Sequence, residues 1–144
     1  MSYQSVNPYD GKLLKTFENL TDKQLDKALA AAASCFELWR QTSFAERAAV
    51  VGKAAAIMHA RVDEFARPMT LEMGKRINEA RGEVEFSANI LAYYAKNAER
   101  FLAPTKLHPA VGEAHMESSP IGVIFGSSLG TFRTTSSHVL PVPT

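Results

Sequence analysis

Apolar side chains recur at helical spacing through most of residues 21–101, and this pattern constrains the fold more than any other feature. Thr21 with Gln24, and Ser43 with Glu46, have the spacing of a capping box, a pair that marks the start of a helix. An apolar stripe with spacings of three and four follows each pair, which places its members on one helix face. The stripes are Leu25, Leu29, Ala32, Phe36 and Trp39, then Ala48, Val51, Ala55, Met58, Val62 and Phe65.

Two further helices are predicted after the second stripe. Pro68 fits the first turn of a short third helix, where its missing N–H costs little. Gly74 is a suitable C-cap for that helix, since glycine readily adopts the left-handed conformation found there. A long fourth helix is expected from about Ile77 to Phe101. Three aromatic residues are expected to anchor it to its neighbours: Tyr93, Tyr94 and Phe101.

Extended segments are predicted on both sides of the helices. Asp10-Gly11 near the N-terminus is a strong hairpin turn signal. The segment from Lys106 to Pro120 contains Pro109 and Gly112 and no helical stripe, so edge or hairpin strands are expected there. Residues 121–125, with the sequence IGVIF, are mostly apolar and predict an interior strand. The expected fold class is therefore α/β.

Composition excludes several classes of function. A chain of 144 residues suggests one domain, and its formal net charge of +1 gives no electrostatic basis for binding nucleic acid or an anionic membrane. No apolar run approaches the roughly 18 residues needed to cross a bilayer. The N-terminus lacks the basic and apolar stretches of a secretory signal, so a cytoplasmic location is expected.

Few side chains suggest chemistry of their own. Cys35 lies within the first predicted helix, and a small packed residue is the expectation there rather than a nucleophile. Four histidines lack the spacing of metal ligands, and structural or solvent-facing roles are expected: His59, His108, His115 and His138. A group of charged side chains predicts a solvated helix face with weak ion pairs: Lys75, Glu79, Arg81, Glu83 and Glu85. The stretch GSSLGT, residues 126–131, lacks the lysine of a phosphate-binding loop. No catalytic, cofactor-binding or metal residue is therefore predicted.

Three motifs in order, NPYDGKLL, LEMGK followed by EARGEV, and ESSPIGVIFG, resemble the N-terminal part of the NAD(P)-dependent aldehyde dehydrogenase superfamily. The succinate-semialdehyde dehydrogenase branch is the most similar. The resemblance covers Tyr3 to Gly126. It implies a β-hairpin, about four helices, an extended arm at residues 107–119 that joins subunits of a homo-oligomer, and the first strand of a dinucleotide-binding sheet.

The resemblance also implies a reaction. In this family a cysteine thiolate adds to a small aldehyde, hydride passes to NAD or NADP, and water hydrolyses the thioester. The family's catalytic Cys and Glu lie beyond the position of Thr144. A truncated enzyme is therefore expected, inactive by itself and without productive NAD or NADP binding. The alternative is a non-catalytic helical interaction module that associates with full-length relatives through residues 107–119.

The resemblance stops at Ser127, which divides the chain into residues 1–126 and an irregular tail, residues 127–144. The family continues with a segment like VEPWNFPYYQLA, and its Trp and Asn would fall on Gly130 and Thr131. Codons that encode the tail can also read VEPWNFPYYQLARVAGPN once a single base is restored before Ser127. A shifted reading frame is therefore expected, and a genuine alternative C-terminus or a divergent short homologue remains the alternative.

Overall fold

Four helices lie between two small antiparallel hairpins in the computed structural model, which describes residues 3–126. Strands β1 (Tyr3–Val6) and β2 (Leu13–Phe17) form the first hairpin. Helices α1 (Asp22–Trp39), α2 (Phe44–Ala60), α3 (Val62–Met73) and α4 (Ile77–Phe101) follow. Strands β3 (Thr105–Leu107) and β4 (Ala114–Met116) form the second hairpin. The predicted mixture of helices and strands is confirmed.

Local sequence signals set most helix ends. Thr21 and Ser43 accept hydrogen bonds from the backbone N–H of Gln24 and Glu46, and both capping boxes are complete. Gly74 ends α3 with φ of 69°, a left-handed conformation that favours glycine. The predicted bounds of α4 agree with the structure. Interactions within four residues are sufficient to specify these ends.

The boundary between α2 and α3 differs from the prediction. Arg61 leaves helical geometry, with φ of −126° and ψ of 35°, and its carbonyl accepts the N–H groups of Glu64 and Phe65. A new helix therefore begins at Val62, and Val62 and Phe65 belong to it. Pro68 lies in the interior of α3, not in its first turn as predicted. The apolar spacing runs on across Arg61, so periodicity could not reveal this break.

The core lies where α2 and α3 pack against α4. Its buried side chains are mostly small, which lets the helix backbones approach closely: Met58, Ala66, Met69, Ala80, Val84 and Ala88. Val62 and Leu91 pack at its edge. The stripe predicted for α2 faces this core, because Ala55 and Met58 are buried. The three-helix unit is therefore the stable centre of the described chain.

Helix α1 contributes nothing to that core. It buries none of its residues, and Leu25 and Leu29 of its predicted apolar stripe remain 48% and 58% exposed. Phe36 and Trp39 at its C-terminal end are half-buried. The stripe is thus present in the sequence, but only one end of it is covered.

The strand predicted at residues 121–125 does not form, so that prediction is wrong. The segment has no strand pairing and bends at Gly122, and Ile121 and Phe125 are 93% and 92% exposed. A strand needs a hydrogen-bonded neighbour, and the two sheets of the described chain end at β4. Among residues 3–126, no helix is both long and apolar enough to cross a membrane.

Candidate functional site

The turn from α3 to α4 brings charged side chains together in a partly enclosed place. Lys75 follows the left-handed Gly74, and its ammonium forms an ion pair with Glu83, one and a half turns into α4. The side chains of Lys75 and Glu83 are 21% and 9% exposed. This corrects the prediction that Glu83 lies on a solvated face. Burial occurs because Glu83 stands between Ala80 and Ser87 on α4, and both of these are fully buried.

The other charges of this group are solvated, as predicted. Arg76 pairs with Glu79 at the start of α4, and the hydrogen bond from Arg76 lowers the pKa of Glu79 from its ordinary value of 4.5. Arg81 Nε lies 2.6 Å from Asp63 Oδ1 and ties α4 to α3. Glu85 is exposed. Exposed ion pairs of this kind contribute little to the stability of a fold, because water screens them.

Cys35 lies on the surface of α1, so the predicted packed position is wrong. The spacing of α1 placed it inside a helix, which is correct, but the helix buries no side chain. An exposed thiol on a helix surface lacks the enclosed, electropositive surroundings that activate catalytic cysteines. Nothing in its position indicates the family's nucleophile.

The described histidines are all on the surface. His59 lies near the end of α2, and His108 and His115 belong to the second hairpin. His115 Nε2 lies 3.7 Å from Glu117 Oε1. Residues 3–126 hold no group of three or more His, Cys, Asp or Glu side chains placed to bind a metal. His138 and most of the GSSLGT stretch lie outside the described residues.

The aromatic residues of α4 contact one another rather than sealing the helix against its neighbours. The rings of Tyr93 and Tyr94 lie edge to face with centroids 5.6 Å apart, and Phe101 lies 5.9 Å from Tyr93. Each of these residues is between 43% and 53% exposed. The predicted anchoring role is therefore wrong for the described chain: α4 still approaches Gly52 of α2 at Ala95, but the three aromatic residues remain exposed.

The second hairpin is a small, mostly exposed two-stranded sheet. β3 pairs with β4 through Thr105 and Met116, Lys106 and His115, and Leu107 and Ala114. The strands confirm the extended structure predicted for this region. A two-stranded sheet has free hydrogen-bonding groups on both outer edges. Residues 105–116 could therefore pair with another strand.

Sequence reasoning missed one feature of this region, the burial of the Lys75–Glu83 pair. A signal for it existed. Ala80, Val84 and Ser87 mark a buried face of α4. Glu83 lies three residues after Ala80 and four residues before Ser87. Residues with these spacings lie side by side on a helix.

Comparison with known proteins identifies the fold. The profile of the aldehyde dehydrogenase family matches residues 1–126. A succinate-semialdehyde dehydrogenase (NADP(+)) of Deinococcus radiodurans is 40% identical over 86% of this chain, which covers 26% of that protein. A counterpart from Mycobacterium bovis is 39% identical over 86% of this chain and 28% of its own.

Solved structures agree. The succinic semialdehyde dehydrogenase of Streptococcus pyogenes, solved in complex with NADP+, superposes with a TM-score of 0.89 at 35% identity over 94% of this chain. The match covers 30% of that protein. This chain thus spans less than a third of the length of these relatives. A match to residues 1–126 and this superposition show that the chain belongs to the aldehyde dehydrogenase family.

Proposed function

We propose that this chain is the N-terminal part of an enzyme that oxidises succinate semialdehyde to the carboxylate with NADP or NAD. The observation that carries the proposal is the 40% identity, across 86% of this chain, to a succinate-semialdehyde dehydrogenase (NADP(+)). Several relatives with this activity in their names and the NADP+ complex support the same substrate and cofactor. When bound, the cofactor accepts hydride from the substrate.

The 144-residue chain does not itself catalyse this reaction. The reaction expected from the family needs a thiolate, and Cys35 is the one cysteine in the sequence. Its exposed position on α1 gives it no enclosed substrate pocket. The chain therefore lacks the nucleophile.

An assay of the purified chain tests the proposed inactivity. Succinate semialdehyde with NADP+ or NAD+ should give no increase in absorbance from reduced cofactor. The Streptococcus pyogenes enzyme serves as the active control. Turnover that co-purifies with the 15.8 kDa chain and disappears in Cys35→Ser would contradict the proposed inactivity.

We further propose that residues 127–144 are read in a shifted frame. The support is the tail's ability to encode VEPWNFPYYQLARVAGPN after restoration of one base. Sequencing of the DNA across Phe125 to Ser128 and several hundred bases beyond the stop tests this. A dehydrogenase reading frame with a Cys and a Glu would support the shifted frame. Unrelated DNA would contradict it and show that residues 127–144 are a genuine C-terminal sequence.

The second hairpin is proposed as a subunit contact of the intact enzyme. Its free edges and its exposed Leu107 and Met116 support this role. In the restored enzyme, Leu107→Pro should remove a strand donor and shift the oligomer toward smaller species in analytical ultracentrifugation. An unchanged sedimentation profile would contradict the proposal.

A further inference from the structure

Helices α3 and α4 leave a groove between them, here called the α3–α4 groove, with a volume of about 390 Å³. Four of its residues lie on one side of α3, because their spacings of four, three and one positions keep them together over two turns. Two more lie one turn apart at the start of α4. The groove is lined by Asp63, Arg67, Thr70, Leu71, Ile77 and Arg81.

Two hydrogen bonds fix the guanidinium of Arg81 in this groove. Its Nε donates to Asp63 Oδ1 at 2.6 Å, and its Nη1 donates to Asn78 Oδ1 at 3.0 Å. Arg81 belongs to α4 and Asp63 to α3, so the first bond crosses the groove. Neither bond uses Nη2, and residues 3–126 supply no acceptor for it. Arg81 is therefore oriented and still has a donor to offer a ligand.

Two further donors of the groove also lack an acceptor. Across residues 3–126, Arg67 forms no ion pair and no hydrogen bond, although it lies one turn from Asp63. The hydroxyl oxygen of Thr70 is buried and has no hydrogen-bond partner in the described chain. A buried hydroxyl without a partner is unfavourable, so an acceptor that reached it would be stabilised. The groove thus holds two arginines and an unpaired hydroxyl against a single aspartate.

The charges and the walls of the groove select a class of ligand. A guanidinium binds a carboxylate through two parallel N–H donors. Asp63 lies beside the arginines, and its charge repels a doubly charged phosphate more than a singly charged carboxylate. Leu71 and Ile77 are each 37% exposed and offer apolar contact to an aliphatic chain. The volume lies in the range of small-molecule sites, roughly 300–1,000 Å³.

We propose that the α3–α4 groove binds a small aliphatic carboxylate. The carboxylate accepts from Arg67, Arg81 and the hydroxyl of Thr70, and its chain lies on Leu71 and Ile77. The groove is more open than enclosed, so a Kd of about 1 mM is expected. The proposal concerns binding alone and is independent of which aldehyde or cofactor the intact enzyme uses.

Arginine labelling with phenylglyoxal, read by peptide-resolved mass spectrometry, tests the site in a dilute solution of the 144-residue chain. Butyrate is the probe, and ionic strength is kept low and constant because salt screens the charges. At a butyrate concentration of about twice the Kd, labelling of Arg67 should slow about threefold, since only a third of the sites stay free. Arg100 is the internal control, because it is exposed and lies at the far end of α4.

Two more probes separate the chemistries. Butyramide has nearly the shape of butyrate but no charge, and it should protect neither arginine. Phosphate should protect Arg67 less than butyrate does. Equal protection of Arg67 and Arg100 by butyrate would overturn the proposal, and so would equal protection of Arg67 by butyrate and butyramide. Protection by phosphate as strong as that by butyrate would overturn the assignment to a carboxylate.

Variants provide a second measurement, a butyrate titration followed by saturation-transfer NMR. Arg67→Gln should raise the Kd about tenfold, because it removes charge-assisted hydrogen bonds. Arg67→Lys keeps the charge and should fall between Arg67→Gln and the unsubstituted chain. Thr70→Val removes the hydroxyl at constant shape and should raise the Kd about threefold.

Arg100→Gln is the matched control for the titration, since it removes the same charge and should leave the Kd unchanged. Helical circular dichroism should be the same for all four variants, because Arg67 makes no contact that holds the helices together. Equal weakening by Arg67→Gln and Arg100→Gln would overturn the proposal. The absence of saturable butyrate binding by the unsubstituted chain would overturn it as well. Neither measurement uses activity, so both outcomes leave the proposed reaction untouched.

Discussion

The ion pair between Lys75 and Glu83 is largely buried, and we expect it to contribute more to stability than the exposed pairs do. Removing one member of a buried ion pair takes away the attraction that offsets the burial of the other, and this costs about 3–5 kcal/mol. Lys75→Met should therefore lower the free energy of unfolding by about 3 kcal/mol, since Glu83 is only 9% exposed. Urea unfolding followed by helical circular dichroism measures this change.

The control for Lys75→Met is one residue away. Arg76→Met breaks the pair between Arg76, which is 83% exposed, and Glu79, which is 51% exposed, and it should change stability far less than Lys75→Met. Equal losses for the two variants would show that the Lys75–Glu83 pair is no more important than a surface pair.

Two glycines allow a second comparison at single positions. Gly74→Ala places a Cβ 3.2 Å from Pro8 Cγ in a left-handed conformation, and it should destabilise the chain by about 1–2 kcal/mol. Gly82→Ala lies inside α4 with open space around the new methyl group, and it should stabilise by about 0.5–1 kcal/mol. Thermal melts of both variants and of the unsubstituted chain show whether each substitution stabilises or destabilises the fold. Stabilisation by Gly74→Ala would contradict the tight turn.

Among the helices, α2 carries a cap that depends on pH. The backbone N–H of Ser43 and then its hydroxyl donate to Glu46, and both lower the pKa of Glu46 from 4.5. A lowered pKa means that the folded state holds its proton less tightly than the unfolded state. The cap's contribution to the free energy of unfolding is therefore present above pH 4.5. It is lost as the pH falls through the lowered pKa of Glu46 in the folded state.

The cap's titration is observable at Ser43. Its amide chemical shift should follow the ionisation of Glu46, with a midpoint below pH 4.5. Glu46→Gln keeps the capping geometry and should abolish the titration. A Ser43 midpoint above pH 4.5 would contradict the hydrogen bonds of the cap.

For the whole molecule, we expect exposed apolar surface to make the chain associate and to lower its solubility. Large apolar residues are exposed on α1, on α4 and in the last described segment, including Leu29, Phe86 and Phe125. Exposed apolar surface of this kind binds hydrophobic dyes and promotes association. Dye fluorescence and sedimentation of the 144-residue chain measure this. A monomeric chain that binds no dye would contradict the expectation.

The sequence by itself determined the local elements. Both capping boxes, the C-cap at Gly74, the extent of α4 and the two hairpins depend on residues within a few positions of one another, and the structure has them where the pattern indicated. The family could also be identified from short motifs, because their order and spacing are preserved.

The tertiary structure alone decided which of these surfaces are buried. It placed Glu83 inside and Cys35 outside, moved Pro68 into the interior of α3, and left residues 121–125 without a neighbouring strand. Burial depends on what packs against a side chain from a distant part of the chain, and strand formation depends on a hydrogen-bonded neighbour. Periodicity identifies the apolar side of a helix, but it cannot state whether anything covers that side.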